Sequence, residues 1–493
     1  MRRWSLFSGV VAIGVVGCAA SGQALKVRTS ASALPFTPLH SYAVGEVGDD
    51  AVFFGGISGQ GLHTLTQGGG SVAFPMSVYS DKIFLVDQAA GTLLQSGVGH
   101  LPQAVREQLR CVTPGFVQYG NTLYIYGGYG PVDTPNTWTT KASVLAVDLQ
   151  AVRTALHGGQ PAPASAFTVL PCAEAQSAGS LIVKMGDKFA LIGGSNFSGD
   201  YGLGEGNPQP FTNVYTDRVH IFDRNVSMTT PLVSFHDAYW LHRRDLNAAP
   251  VSAPAVGGGH TSGFAIACGV FNGAAPWENP AVWFDGDSSV TIFDQFIQKM
   301  NQYEGPRLSV YSESTGRNNL LLMGGLSYQV FDEKFGFYYD FLVPWVTTVS
   351  NLVYENGQFT DETIAGDTTL PMTNTHVVPR HNIPVNASGQ ILVDQLPHNE
   401  HRVGRVFGGL YAEAPGPEPT TWAGSTVYDV YLAVGVRGDV NKDGTTNFAD
   451  LNILLGQFGT AGAGLAADLN LDGTVNFADL NVILSNFGSN TPG

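Results

Sequence analysis

An apolar strand that ends in a Gly-Gly pair recurs along the chain and constrains its fold more than any other feature. The pairs are Gly55-Gly56, Gly127-Gly128, Gly193-Gly194, Gly324-Gly325 and Gly408-Gly409, and a sixth copy reads Cys268-Gly269. Most copies are followed by a second strand that ends in Asp. Many short strands joined by glycine turns predict a mostly β chain of small antiparallel sheets that pack radially. Glycine lets the backbone turn sharply and pass close to the neighbouring unit.

This repeated phrase resembles the kelch repeat, whose mark is a hydrophobic strand followed by Gly-Gly. The resemblance implies a kelch-like β-propeller over residues 25–436, with six blades, and with five or seven as alternatives. A β-sandwich array with glycine turns is the other interpretation. The turns lie farther apart than in kelch proteins, so the blades are expected to carry inserted loops. Residues 25–29 are expected to pair with the strand 428–434, so that the two chain ends share a blade.

The stretch 439–488 contains one phrase twice. DVNKDGTTNFADLNILLGQFG begins at Asp439, and DLNLDGTVNFADLNVILSNFG begins at Asp468. The pattern D-x-N-x-D-G, with Asn in the ninth place and Asp in the twelfth, is the spacing of a calcium loop. The side chains at places one, three and five converge on one ion, the chain turns at the glycine, and the acid at the twelfth place closes the cage. A short amphipathic helix is predicted behind each loop.

The pair resembles a type I dockerin module over residues 437–490, in which two loop–helix segments bind two calcium ions and dock onto a cohesin. Asp450 and Asp479 at the twelfth place are the dockerin form, whereas ordinary EF-hands have Glu there. Carried over by position, the resemblance implies one ion held by Asp439, Asn441, Asp443, the Thr445 carbonyl, Asn447 and Asp450. It implies a second ion held by Asp468, Asn470, Asp472, the Thr474 carbonyl, Asn476 and Asp479.

The places that read the partner in dockerins hold Phe448-Ala449 and Phe477-Ala478, where well-known dockerins often carry hydroxyl groups. The linker between the two copies is also short for the family. These departures leave the calcium chemistry intact. They leave the partner open, as a cohesin-like or another extracellular or surface protein.

The first 24 residues are typical of a signal peptide, with Arg2 and Arg3 ahead of an apolar run at 6–16 and small residues behind it. That run is too short to anchor the mature chain in a membrane. Two processing routes stay open: cleavage after a small-x-small site at 22–24, or a lipobox at 15–18 that leaves Cys18 lipid-modified. Both predict a secreted or cell-surface protein, with no transmembrane segment in the mature chain.

Charge and cysteine content narrow the function further. Twenty-four Lys and Arg against 40 Asp and Glu give a net charge of −16, which argues against nucleic acid as a partner and suits divalent cations. Without Cys18, three cysteines remain, so one intrachain disulfide is the maximum. A Cys111–Cys172 bridge and three buried free thiols, with Cys268 among them, are the two alternatives.

Four arginines, each expected to open an innermost strand, are candidate ligand-binding residues: Arg110, Arg244, Arg307 and Arg380. Innermost strands line the central channel of a propeller, so these residues predict a ring that binds carboxylate or phosphate groups. The alternative is that each arginine pairs with a neighbouring acid and acts structurally. His242, Asp245 and His381 lie close in sequence and are candidate acid–base groups.

The sequence contains no H-E-x-x-H, no G-x-S-x-G, no P-loop and no zinc spacing, so no catalytic residue is assigned. Glycosidase chemistry requires two facing carboxylates, and the acids considered for it are Glu278, Asp285, Asp287, Glu313 and Asp332. The predicted insertions carry four tryptophans that either stack on sugar rings or pack within their own loops: Trp138, Trp277, Trp345 and Trp422.

Three functions therefore stay open. The first is a ligand-binding propeller, for a glycan or an anionic small molecule, which the calcium module attaches to an extracellular partner. The second is a carbohydrate-active enzyme of polysaccharide breakdown, either an O-glycosyl hydrolase or a sugar isomerase. The third is a purely structural surface protein. Two carboxylates about 5–10 Å apart in a cleft favour the second, and a flat surface without a pocket favours the third.

Overall fold

The computed structural model describes residues 25–59, 61, 75–201, 211–255, 257–273, 275–369, 371–416 and 421–490. The expected signal peptide, including Cys18, lies outside the described residues. The described chain is mostly β with a few short helices, as the glycine-punctuated strands predicted. Over these ranges, no helix has both the length and the apolar character needed to cross a membrane.

Successive antiparallel strands form six groups of four, numbered sheets 1 to 6 in chain order. Sheet 1 contains Ala43–Val47, Asp50–Phe54, Lys82–Asp87 and Thr92–Gly97. Sheet 2 contains Gly115–Tyr119, Thr122–Tyr126, Ser143–Asp148 and Phe167–Pro171. Sheet 3 contains Leu181–Met185, Lys188–Ile192, Arg218–Asp223 and Val233–His236. Sheet 4 contains Ala248–Pro254, His260–Ile266, Ala281–Phe284 and Thr291–Ile292. Sheet 5 contains Arg307–Ser312, Arg317–Met323, Thr348–Glu355 and Gln358–Asp367. Sheet 6 contains Val377–Pro379, Glu400–Phe407, Val427–Val434 and Leu25–Ala31.

The first strand of the chain completes the last sheet. Leu25–Ala31 pairs antiparallel with Val427–Val434, with Leu25 opposite Val434 and Ala31 opposite Tyr428. The pairing expected from the sequence is therefore confirmed. Leu25–Ala31 also meets Gln358–Asp367 in a short parallel contact, which joins sheets 5 and 6 into one nine-stranded sheet with Ile391–Leu392 at its edge.

The second strand of every sheet ends at one of the six Gly-Gly or Cys-Gly pairs. The second glycine donates its N–H to a carbonyl ahead of the next sheet in four cases: Gly56 to Cys111, Gly128 to Ser177, Gly194 to Arg243, and Gly409 to Leu39, at 2.8–2.9 Å. The last of these bonds leads from sheet 6 back to sheet 1. Gly127 has φ 60°, and a Cβ there would lie 2.0 Å from the Ala175 carbonyl, so a side chain is excluded.

Six apolar cores lie between the faces of neighbouring sheets. Each core combines buried side chains of two sheets, including Leu85 with Leu123, Tyr126 with Phe189, Ile221 with Phe264, Val251 with Leu352, Val310 with Val430, and Phe53 with Phe407. The helices α1 (Gln103–Leu109) and α2 (Leu149–His157) cover the core between sheets 1 and 2. No single core holds the β region together, because every sheet is half of two cores.

Short strands inserted beside the six sheets form small sheets of their own. They are Leu39–His40 with Ile57–Ser58; Tyr129–Pro131, Trp138–Thr140, Ser195–Ser198 and Thr212–Tyr215; Val270–Asn272 with Ala275–Pro276; Gln329–Asp332 with Gly336–Tyr339; and Met372–Thr373, Leu410–Ala412 and Thr421–Ala423. Four 3₁₀ turns also occur, at Met76–Val78, Ala164–Ala166, Ala173–Ala175 and Val393–Gln395.

The C-terminal module contains the helices α3 (Phe448–Gln457) and α4 (Phe477–Ser485). Asn447 and Asn476, the ninth residues of the two loops, are the N-caps of these helices, and each accepts a hydrogen bond from the backbone two residues on. The buried core of the module is small: Val440, Leu454, Ala467, Leu469, Val475 and Ile483.

Candidate functional site

The first terminal loop folds around its first and twelfth residues. The buried Asp439 carboxylate accepts a hydrogen bond from the Gly444 N–H at 2.8 Å. The buried Asp450 carboxylate accepts from the N–H groups of Val440 and Asn447, each at 2.8 Å. These bonds draw the twelve residues into a tight turn with two carboxylates inside it, as the spacing predicted.

The second loop repeats this geometry. Asp468 accepts from the Gly473 N–H at 2.9 Å, and Asp479 accepts from the Leu469 N–H at 2.7 Å. Burial raises the pKa of Asp468, and repulsion from Asp479 and Asp472 adds to the rise, while backbone hydrogen bonds act the other way. Carboxylates that repel one another at short range are suited to a hard divalent cation.

The donor atoms of both loops fit calcium. Each loop offers carboxylates at the first, fifth and twelfth places, amide side chains at the third and ninth, and a carbonyl at the seventh. These are oxygen ligands of the kind that calcium takes. The twelve residues assigned by the resemblance are therefore compatible with two ions, and calcium binding itself stays a prediction.

A group of three side chains in the β region, outside the terminal loops, also brings possible metal-ligating atoms close together. Within the described ranges, Asp50, Asp87 and His157 are the one set of three such side chains whose ligand atoms all lie within 4.8 Å of each other. Ligands on opposite sides of a calcium ion are about 5 Å apart, so a calcium loop need not meet that limit. Asp50 already accepts hydrogen bonds from Arg153 at 2.6 Å and His157 at 2.7 Å, so this group is explained as an ion-pair cluster.

The four expected partner-reading residues all lie exposed on the first turns of α3 and α4. Phe448 is 69% exposed and Phe477 is 70% exposed. Phe448 contacts the ring of Phe487 at 4.9 Å, and Phe477 contacts that of Phe458 at 5.1 Å, so the two repeats present equivalent aromatic pairs. A role for these residues in binding a partner stays a prediction.

The opposite side of the module contacts the β region. Lys442 donates to the Asp394 carbonyl at 2.8 Å, and Asn382 donates to the Leu471 carbonyl at 2.9 Å. Lys442 and Leu471 hold the fourth place of their loops, so the two terminal loops contact the β region through equivalent positions. Their contacts leave the aromatic pairs of the helices accessible.

A second candidate site is built from all six sheets. The first strand of each sheet is called its innermost strand. Two or three positions before each of these strands lies a residue whose backbone is left-handed, with φ between 46° and 65°. The six residues are Ser41, Thr113, Gly179, Asp245, Glu304 and Asn374. Five hydrogen bonds join their backbones in sequence, from Thr113 to Ser41, Gly179 to Thr113, Asp245 to Gly179, Asn374 to Glu304, and Ser41 to Asn374, at 2.8–3.0 Å. These six residues, called the inner ring, all line one pocket.

The cavity above the inner ring is a separate space of about 270 Å³, lined by every inner-ring residue except Gly179. Its walls are largely apolar and come from the inserted strands, with Ile57, Tyr129, Phe197 and Phe271 among them. Non-glycine residues in the left-handed region are strained by roughly 1–3 kcal/mol each, and such strain collects at functional sites. An apolar pocket with a few convergent polar groups is the usual form of a small-molecule site.

Two acids of the inner ring face this cavity. Burial raises the pKa of Glu304 well above its usual range, and the neighbouring Asp245 raises it further. Burial also raises the pKa of Asp245, against the opposing effect of Arg244. Asn374 donates to Glu304 Oε2 at 2.6 Å. Both acids therefore hold a proton more readily than usual, and the carboxyl group of each can donate or accept a hydrogen bond according to its protonation.

The four arginines do not form the expected ring. Arg307 opens the innermost strand of sheet 5 and lies deeper in the channel, where burial lowers its pKa to about 10. Arg244 lines the cavity, but it forms an ion pair with Asp245 at 3.3 Å and donates to the Tyr215 hydroxyl. Its charge is therefore balanced within the protein, which does not favour a carboxylate or phosphate ligand there.

The other two arginines lie elsewhere. Arg110 follows α1 and pairs with Asp133 at 3.9 Å. Arg380 follows the innermost strand of sheet 6 and lines a separate pocket with His381. Of the acid–base candidates named with them, Asp245 lies in the cavity, whereas His242 is bonded to Asp217 at 2.8 Å.

The remaining sequence candidates have local partners. Glu278 accepts from Gln329, Asp285 from Lys188, and Glu313 contacts His260. Neither Asp287, which accepts from the Phe284 N–H, nor Asp332, which accepts from the Lys334 N–H, lines the central cavity.

Three of the four tryptophans are buried, which leaves Trp422, at 37% exposure, as the one accessible for stacking on a ligand. The cysteines Cys111, Cys172 and Cys268 are free and buried, and burial raises the pKa of the Cys111 thiol to about 12. The alternative of a Cys111–Cys172 bridge is therefore not adopted.

Glu304 and Asn374 were missed by the sequence reasoning. The usable signal was a polar residue placed two or three positions before an innermost strand. Asn and Asp tolerate the left-handed backbone better than most residues, which fits Asn374 and Asp245.

Comparison with known proteins adds little to these observations. No protein-family model matches the chain, and no curated protein matches it. A solved structure described as "Structure of YjhT" aligns with 81% of this chain and 96% of that chain, at 12% identity and a TM-score of 0.44. A score this low assigns neither a fold family nor a function.

Proposed function

We propose that this chain is a secreted or cell-surface protein in which a calcium-binding, dockerin-like module (residues 437–490) attaches a six-bladed, kelch-like β-propeller (residues 25–436) to an extracellular partner. The observation that carries the proposal is the pair of terminal loops, which bury equivalent acids at the first and twelfth places. Buried carboxylates without a cation are costly, and a shared calcium ion removes that cost.

The propeller is supported by the cyclic order of contacts in the β region. Each sheet shares a core with the next, and the sixth shares one with the first. The bonds of the inner ring follow the same order. Radial packing of this kind is how small twisted sheets bury both faces.

We assign the ligand site of the propeller to the cavity above the inner ring. Glu304, Asp245 and Asn374 offer hydrogen-bond donors and acceptors, and the apolar walls suit the faces of a sugar ring. The expected ligand is a neutral polyhydroxylated molecule such as a glycan, because Arg244 is already paired with Asp245. A purely structural role gains no support from a surface that contains such a cavity.

The module is tested by calcium stoichiometry, measured by isothermal titration calorimetry on the full chain after removal of bound metal. We expect two ions for the parent, one for Asp450→Ala, one for Asp479→Ala and none for the double variant. Asp81→Ala, at an exposed acid outside the loops, is the matched control and should still bind two. Two ions bound by the double variant would refute the assignment of both loops.

Attachment is tested with a panel of purified cohesins on a biosensor, in calcium and in chelator. We expect calcium-dependent binding to at least one, and loss of that binding when Phe448→Ala and Phe477→Ala are combined, because the helix faces carry the contact. Calcium binding should be unchanged in this double variant. Binding that persists in chelator would contradict a role for the module.

A second candidate function, a carbohydrate-active enzyme, is favoured by one observation: two acids, Asp245 and Glu304, line the same cavity, and burial together with the charge of Asp245 raises the pKa of Glu304. Two carboxyl groups of different proton affinity are the usual acid and base of glycoside chemistry. An enzyme predicts that a glycan bound in an array screen is converted, and that Asp245→Asn and Glu304→Gln stop turnover while retaining binding. Glu362→Gln removes a buried acid outside the cavity and should leave turnover unchanged.

A further inference from the structure

A second pocket, of about 350 Å³, lies between sheets 6 and 1. Asp49, which lines it, follows the innermost strand of sheet 1, whereas Ser41 of the inner ring precedes that strand. The pocket therefore lies at the opposite end of this strand from the central cavity. Its volume falls within the range of roughly 300–1,000 Å³ that is typical of small-molecule sites.

Three arginines line this pocket: Arg380, Arg402 and Arg405. Arg402 and Arg405 lie on Glu400–Phe407, and Arg380 follows the neighbouring strand, where its backbone N–H donates to the Val403 carbonyl at 2.9 Å. The sheet therefore fixes the spacing of all three. This concentration of positive charge contrasts with the net charge of −16 of the whole chain.

The acids nearby balance only part of this charge. Asp429 accepts from Arg405 Nε at 2.8 Å and from Arg402 Nη1 at 3.4 Å, so one carboxylate serves two arginines. Arg405 also donates to Gln88 Oε1 at 2.6 Å, which holds its guanidinium in place. Asp429 is not among the residues that line the pocket, whereas Asp49 lines it and is exposed.

Arg380 is the arginine without such a partner in the described part of the chain. Burial lowers the pKa of Arg380, and the positive charges of Arg402 and Arg405 lower it further. Its five N–H donors are arranged to bind an oxyanion at two points, and a bound oxyanion would relieve the repulsion among the three guanidinium groups.

We propose that the pocket formed by Arg380, Arg402 and Arg405 binds an oxyanion carried on a small organic molecule, as a carboxylate, sulfate or phosphate group. Arg380 makes the main contact, while Asp429 and Gln88 keep the other two arginines oriented. The site is separate from the central cavity, whose Arg244 is already paired. The sequence predicted an anion site lined by arginines in the central channel. The proposed anion site lies instead between the first and the last sheet.

The test uses the full, calcium-loaded chain at constant ionic strength, with binding measured by calorimetry. The probes are sulfate, glucose, glucuronate and glucose 6-phosphate, so that the last three share one sugar and differ in the charged group. We expect sulfate and at least one charged sugar to bind, and Arg380→Gln to weaken that binding. Glucose lacks the charged group, so any glucose binding belongs to the central cavity and should be the same in the parent and in Arg380→Gln. Preference for glucuronate or for glucose 6-phosphate identifies the carboxylate or the phosphate as the natural group. An equal loss of glucose binding in Arg380→Gln, or no binding of any charged probe by the parent, would overturn the proposal.

Arg380→Gln separates ligand binding from a structural role. We expect it to weaken binding of the charged probe by about tenfold to a hundredfold, as the loss of charged hydrogen bonds implies. Without ligand it should melt no lower than the parent, because a repelling charge has been removed. Arg218→Gln, at an exposed arginine, makes the same charge change and should leave affinity unaltered. Unchanged affinity in Arg380→Gln, or a lower melting temperature without ligand, would show that Arg380 is a structural residue.

Discussion

The C-terminal module and the β region bury their carboxylates in different ways. In the second terminal loop, the pKa of Asp468 is raised by burial and also by repulsion from Asp479 and Asp472. In sheet 1, Glu46 is alone: burial raises its pKa to about 8, and its Oε1 has no hydrogen-bond partner among the described residues. A bound cation stabilises a group of acids that repel one another, whereas a solitary buried acid is most stable when it is protonated. The surroundings of a buried acid therefore decide whether it indicates a metal site.

The two regions also differ in how their contacts are distributed along the chain. Each terminal loop takes all of its proposed donors from twelve consecutive residues. The inner ring takes one residue from each of six segments between Ser41 and Asn374. The module also has a much smaller core than the β region, so we expect its stability to depend more on a bound ion.

The largest expected effect is calcium removal. Chelation removes the cation proposed to hold the grouped acids of both loops, and the contact between His398 and Asp439 involves one acid of the group, so we expect the region after Gly438 to unfold while the six sheets stay folded. The readouts are loss of helical circular dichroism and protease cleavage confined to that region. Restored calcium should reverse both changes. Unchanged helical signal together with unchanged protease resistance in chelator would show that the module does not depend on metal.

A smaller effect is expected at the contacts between sheets. Gly127→Ala places a Cβ 2.0 Å from the Ala175 carbonyl at φ 60°. Gly120→Ala is the matched control, because Gly120 has φ 56° and nothing within 4 Å of its Cβ position. Both variants carry backbone strain of about 1–2 kcal/mol. Gly127→Ala should lose about 1–3 kcal/mol more in denaturant melts, because the clash must be relieved by separating the two sheets.

Equal stability of the two glycine variants would contradict the close approach of neighbouring sheets. It would also weaken the contrast between the two regions, because the β region would then depend less on contacts between distant segments. A larger loss for Gly127→Ala would give the strength of one such contact.

The same contrast explains what the sequence reveals. The proposed calcium ligands could be named residue by residue from the sequence, because their spacing is local, and their role stays a prediction. The six strands that end in Gly-Gly or Cys-Gly predicted the repeated sheets, and the pairing of residues 25–29 with 428–434 was correct. The loop ligands and the repeated sheets follow from short sequence patterns, and the strand pairing follows from the position of the two chain ends in the repeat.

The central cavity could not be derived in this way. Glu304 and Asp245 precede the first strands of separate sheets, and their proximity depends on how those sheets pack against one another. The arginine hypothesis failed for the same reason, because position before a strand did not determine where each side chain lies or which acid it meets. Arg110 pairs with Asp133 outside the cavity, whereas Arg244 lines the cavity and pairs there with Asp245.

The smallest expected effect concerns Glu46. Its pKa of about 8 in the folded state lies above its ordinary value of 4.5. Between these values, the folded protein keeps a proton that the unfolded chain has lost, so stability falls as the pH rises through this window. Glu46→Gln removes the titration. The melting temperature of the parent should therefore fall by about a few degrees more than that of the variant between pH 5 and pH 8.

Glu413→Gln, at an exposed acid, should follow the parent at both pH values. At pH 5 the difference between the parent and Glu46→Gln should be small, because both carry a neutral side chain at position 46 when folded and the pH is close to the ordinary pKa of 4.5 of the unfolded chain. The backbone bonds between Glu46 and Gln118, at 2.8 and 2.6 Å, do not involve the substituted carboxyl group and should persist. A Glu46→Gln variant that melts lower at pH 8 would show that Glu46 is ionised and paired. The sheets would then bury acids as charged groups, and the contrast with the module would fail at this residue.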